Sequence, residues 1–192
     1  MKKLYLLGVL IGLVVVGILA MLMSNRGSFQ VPLLDNEQHA GWLTVAPPSG
    51  LFSVRMPNAP QEAHNTLPIA DSSDVVEQSL YMAKDEIGNI YFISTAVYPV
   101  LFDLEKQEEA LQSALDSMVA ALVNGQLISA EMVDFKDQSS LDFVIQDANK
   151  ILHQGKLLIQ DRTLYQAFVS YEEGALEEDD YRYFLTSLDI SP

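Results

Sequence analysis

Cysteine is missing from all 192 residues. That removes disulfides, cysteine-held metals, thiol nucleophiles and lipid attachment at a cysteine, so packing alone must hold the folded part. Basic residues are scarce as well: 11 Lys and Arg stand against 26 Asp and Glu, a formal net charge of −15. With Lys2, Lys3 and Arg26 set aside, residues 27–192 keep 8 basic and 26 acidic side chains, a net −18. Nucleic acid is therefore not an expected partner, because no Lys/Arg stripe with interleaved aromatics opposes that field. The same charge favours solubility and holds the body off anionic lipid. Catalytic signatures are also absent. Neither G-x-S-x-G nor S-x-x-K occurs, and Gly155-Lys156 is followed by leucine with no upstream glycine at phosphate-loop spacing.

One long apolar run is present. Leu4 to Met23 holds twenty residues without a charge, directly behind Lys2 and Lys3. At about 1.5 Å per residue a helix of that length matches the hydrocarbon thickness of a bilayer and exceeds a secretory h-region. No A-x-A pattern follows it, so the run reads as a retained signal-anchor. Positive charge before the helix places residues 1–3 as a cytoplasmic tip and the rest outside, in the periplasm or the extracellular space. Gly8 and Gly12 have the G-x-x-x-G spacing of a membrane-helix contact, which allows a weak self-association alongside the commoner role of lipid-facing filler. Residues 24–41 mix Gly, Pro, Asn and Gln without a period and read as a tether in which His39 is solvated.

Residues 42–192 suit one domain. Trp42 to Ala46 and Leu51 to Met56 flank Pro47-Pro48-Ser49-Gly50 as a hairpin. Asn58 to Ser73, with Pro60, His64 and Pro68, reads as a long loop. Val75 to Lys84 and Ile90 to Tyr98 form the next strand pair, the second apolar on both faces and hence central. Leu104, Leu111, Leu115, Met118 and Leu122 recur at helical spacing from about Leu104 to Asn124, capped by Asp103 and stopped at Asn124-Gly125. Four strands follow: Leu127 to Phe135, Leu141 to Asp147, Ile151 to Gln160 and Thr163 to Tyr171. A short helix then carries Tyr181, Phe184, Leu185 and Leu188 on its apolar side. Short connections favour antiparallel pairing, so the fold class is α+β: an antiparallel sheet packed by one long and one short helix.

Trp42, the run Gly50-x-Phe52-x-Val54-x-Met56-Pro57, Pro60, Leu164-Tyr165 and Phe184-x-x-Ser187-Leu188 together resemble the PsbP-like α/β sandwich superfamily, over about residues 42 to 190. That family includes a lumenal subunit of photosystem II, a nuclear-import factor that binds the Ran GTPase, and anchored or secreted bacterial proteins of unknown role. The resemblance implies a sheet flanked by helices and non-catalytic binding to other proteins. The matched residues are structural, and none carries a family binding site.

His153 is the histidine that falls within a strand, with Asp147 or Asp161 across a turn as carboxylates that would make it a base; a hydrogen-bonded surface residue is the alternative. Glu172, Glu173, Glu177, Glu178, Asp179 and Asp180 offer hard oxygen ligands for Ca²⁺ but lack the D-x-D-x-D-G spacing, and acids before a helix also suit its dipole. No catalytic, cofactor or metal residue is assigned. The expected function is a membrane-anchored, outward-facing interaction domain with a protein partner. The alternatives are a binder of a small apolar ligand or lipid and, third, a hydrolase using His153.

Overall fold

The computed structural model describes residues 39–69 and 72–190. The expected membrane helix at residues 4–23, its Gly8/Gly12 contact and the tether up to residue 38 lie outside the described residues. Among the described residues no helix is long and apolar enough to cross a membrane.

Alternation of apolar and polar residues builds ten strands: β1 (Leu43–Val45), β2 (Phe52–Met56), β3 (Gln61–Pro68), β4 (Val75–Lys84), β5 (Ile90–Val97), β6 (Gln126–Phe135), β7 (Gln138–Gln146), β8 (Ile151–Gln160), β9 (Thr163–Glu172) and β10 (Asp189–Ile190). Among the described residues two α-helices interrupt them, α1 (Gln107–Ala121) and α2 (Glu178–Ser187). Seven strands form an antiparallel sheet in the order β3-β4-β5-β9-β8-β7-β6, and β1-β2-β10 form a smaller one. β5 is buried along almost its whole length between β4 and β9, as its two-faced apolar pattern requires.

Side-chain alternation divides the core in two. On one face Leu111, Leu115 and Met118 of α1 pack over Phe92, Phe143, Leu157 and Phe168. On the other face Phe184, Leu185 and Leu188 join Phe52, Val54 and Met56 of β2 over Tyr91, Ile93, Tyr165, Ala167 and Val169. The expected helical stripe holds at Leu111, Leu115 and Met118 but not at either end: α1 stops at Ala121, and Leu122 is its C-cap in an extended conformation (ψ 138°). Leu104 lies in a separate 3₁₀ turn (Leu104–Lys106) and is exposed, so the α-helix is shorter than the spacing predicts. Asp103 caps that turn by accepting from the Glu105 N–H at 3.1 Å, and Asn124 takes the left-handed conformation (φ 51°) after α1.

The expected loop at Asn58 to Ser73 is corrected by the structure: Gln61–Pro68 is the edge strand β3, paired with β4 along its full length. Only Leu67 of β3 is buried, so burial could not impose a period, and Pro68 is tolerated because an edge needs fewer backbone donors. His39 is also not solvated. Its ring stacks on Tyr183 with centroids 4.0 Å apart, and its Nε2 lies 2.8 Å from Asp180 Oδ1. Contacts of the body thus reach back at least to His39, tied by the Trp42 N–H donating to the His39 carbonyl at 3.0 Å.

Candidate functional site

β8 presents alternate residues to the two faces, and each face holds polar groups worth testing. The expectation of a surface His153 is corrected: on the α1 face it is 2 % exposed, and its Nδ1 is hydrogen-bonded to Ser170 Oγ at 2.7 Å. Antiparallel pairing sets these two residues directly opposite each other. Asp147 Oδ2 lies 4.0 Å from the other ring nitrogen, beyond hydrogen-bonding distance, while Asp147 Oδ1 accepts from the Asn149 and Ile151 N–H groups of the β7–β8 turn. The structure therefore brings together His153, Ser170 and Asp147, and not Asp161, which lies in the turn at the opposite end of β8. Burial holds the His153 pKa below its ordinary value, with the Asp147 charge pulling weakly the other way. A base must reach a substrate proton. Here the hydroxyl and the imidazole are both enclosed in the core, so their bond is part of the packing.

The carboxylates of residues 172–180 do not converge: Asp180 pairs with His39, and Glu178 reaches Arg182 at 3.5 Å. Among the described residues no three His, Asp or Glu side chains gather in a way that would hold a metal ion.

The opposite face of the sheet is different in kind. α2 and the small sheet pack over β4, β5 and β9, their core takes in Leu158 of β8, and Tyr181 of α2 reaches Gln154 of β8, while the outer part of this face, on β6 and β7, is more open. The burial pattern records this. Leu141, Phe143 and Ile145 are buried under α1, whereas Asp142, Val144 and Gln146 on the other side of β7 are only half-buried. Across this open area the rows run Ser129, Val144, Gln154 and Glu131, Asp142, Lys156.

Its polar groups are joined to one another. Lys156 Nζ donates to Asp142 Oδ1 and lies 5.2 Å from the centroid of the Phe135 ring. The Tyr171 hydroxyl donates to Gln154 Oε1 at 2.5 Å. Burial first, then the Asp142 charge, raise the Tyr181 pKa above the ordinary phenol value, with a Gln154 hydrogen bond opposing. Burial, Glu178 and Glu173 do the same for Tyr171. Both phenols are therefore neutral donors at physiological pH, set among carboxylates on a half-open sheet face. Neutral phenols beside carboxylates suit recognition of a cationic, hydrogen-bonding surface better than proton transfer.

Sequence periodicity puts Tyr171 on the correct face and Tyr181 on the apolar side of the last helix, yet nothing in the sequence singles out Gln154 or brings the three together. Their meeting depends on β8–β9 register and on where α2 lies, which spacing alone does not encode.

The chain matches no family model and no curated protein. It is similar to the solution structure of cyanobacterial PsbP (CyanoP) from Synechocystis sp. PCC 6803, at 14% sequence identity and a TM-score of 0.50, covering 86% of this chain and 99% of that one. At that identity the likeness speaks for fold alone: the antiparallel α+β body of this chain is PsbP-like.

Proposed function

We propose that this chain is a membrane-anchored, outward-facing domain that binds another protein without catalysis. The observation that carries the reading is the half-open outer face of β6 and β7, bordered by Tyr171, Tyr181 and Gln154 and by the Asp142–Lys156 pair. The anchor rests on the apolar run Leu4 to Met23 behind Lys2 and Lys3. Crosslinking tests the binding. A photoreactive residue at Val144, used in intact cells, should capture one discrete partner that the same group at Thr66 on β3 does not. Abundant bystanders alone at both positions would overturn it. A single cysteine at the exposed Ser49, in a chain with no other thiol, should react with a membrane-impermeant maleimide from the outer side.

A second reading, a small apolar ligand between α1 and the sheet, draws on Gln78. This side chain is 1 % exposed on the α1 face, and neither its Oε1 nor its Nε2 has a hydrogen-bond partner. Native mass spectrometry of the purified chain decides this one, with a bound adduct lost in Gln78→Leu as the supporting result.

A further inference from the structure

The large sheet has two edges, and they are built differently. β3 runs between Pro60 and Pro68, so its ends lack N–H donors. β6 reads QLISAEMVDF, ten residues without proline, glycine, lysine or arginine. Gln126 to Glu131 are exposed on both sides of the sheet. Alternate residues of an outermost strand turn their N–H and C=O groups away from the sheet. Among the described residues no backbone group of a loop or cap bonds the β6 backbone, and the Ser140 hydroxyl donates to the Val133 carbonyl at 3.2 Å, beyond the exposed stretch Gln126 to Glu131.

Charge says what fits there. Glu131 stands opposite Asp142, which stands opposite Lys156. Lys156 already pairs with Asp142, so Glu131 faces a like charge across the ladder, and a cation placed beyond it on an added strand would supply the opposite charge that Glu131 lacks within the sheet. A second copy of this chain supplies no such cation. β6 holds Glu131 and Asp134 and no basic residue, so pairing with its own copy sets acid toward acid between bodies that each carry net −18. Leu127 and Ile128, 43 % and 57 % exposed at the β-bulge, add an apolar contact three to four residues from Glu131.

We propose that β6 accepts an extended, basic segment of the partner protein as an eighth strand, with a lysine or arginine opposite Glu131 and an apolar side chain beside Leu127 and Ile128. This deepens the interaction reading above and rests on it. Backbone hydrogen bonds give such a contact its affinity, and the cation gives it register.

The test uses the full chain in detergent micelles and a fluorescein-labelled ten-residue peptide of alternating lysine and valine, read by anisotropy. This peptide should bind, its glutamate–valine counterpart should not, and methylating every backbone amide should abolish binding. Glu131→Lys should weaken binding about tenfold, while Glu62→Lys on the β3 edge, the same change in net charge, should leave it nearly unchanged. Equal binding of the methylated peptide, equal loss in both variants, absence of lysine–valine binding, or dimerisation through β6 would each overturn the inference. A discrete partner captured at Val144 without any effect of Glu131→Lys removes the edge alone. Bystanders at Val144 remove the interaction reading itself.

Discussion

His153 and Gly155 are two residues apart on the α1 face of β8, and each is tied to the strand beside it. A Cβ added at Gly155 would lie 2.1 Å from the Ala167 carbonyl oxygen and 2.4 Å from Phe168 Cβ. The obstruction is mostly backbone, so β8 and β9 would have to part where Phe143 and Phe168 lean across the glycine. Gly155→Ala should destabilise the chain by at least about 3 kcal/mol, at or above the usual cost of overpacking, seen as a lower urea midpoint. A change within about 0.5 kcal/mol would contradict the close approach. For His153 the sign follows from burial. Its folded pKa lies below the unfolded value of about 6.5, so on acidification the unfolded chain takes up a proton before the folded chain does. This contribution is fully present above about pH 6.5 and is lost as pH falls toward the folded pKa. His153→Gln removes the titration and keeps a neutral side chain near Ser170 Oγ. Its stability should fall less between about pH 7 and 5.5 than that of the parent chain, and identical slopes in urea unfolding would remove the claim.

Helices and strands were legible in the sequence where one face is buried, and also along β6, which has no buried side chain but is rich in Leu, Ile, Val and Phe. β5, β8 and β9 follow from their apolar runs with ends correct to a residue or so, and the α1 stripe follows from Leu111, Leu115 and Met118. β3 did not, because seven of its eight side chains are exposed or half-exposed and pairing with β4 alone makes it a strand. β10 is two residues long and exists only by pairing with Ser53 and Phe52 of β2. At the candidate surface the residue types were visible, but the contact between Tyr171 and Gln154 depends on register. α2 shows a related division. Glu177 holds the N-cap backbone conformation and makes no side-chain cap bond, while Glu178, Asp179 and Asp180 fill the first turn. Glu177→Ser should place a hydroxyl within reach of the free N–H groups and stabilise the chain by about 0.5–1 kcal/mol, read as a higher urea midpoint. No gain would mean that the glutamate already serves those donors through water.

For the whole molecule, charge and the open β6 edge act against each other. An exposed strand without proline or lysine is a template for pairing with other chains, and here a net charge of −18 over residues 27–192 keeps like bodies apart. The repulsion is conditional on pH. As acid brings the chain toward its isoelectric point near 4.3, its net charge falls toward zero, and the barrier to self-pairing falls with it. The full chain in detergent should therefore show a steep rise in light scattering on approach to that pH while its far-ultraviolet circular dichroism stays native. Unfolding would also cause scattering, so a second variant separates the causes. Ile128→Lys places a cation at the exposed bulge, a position where burial is small and the fold has little to lose. Its charge persists through the acid range, so it should suppress scattering by keeping edges apart, without moving the urea midpoint. Scattering that is unchanged in Ile128→Lys would locate the association in unfolded chains. Scattering suppressed at unchanged stability would locate it at β6, the same strand whose pairing groups are offered to a basic segment at neutral pH.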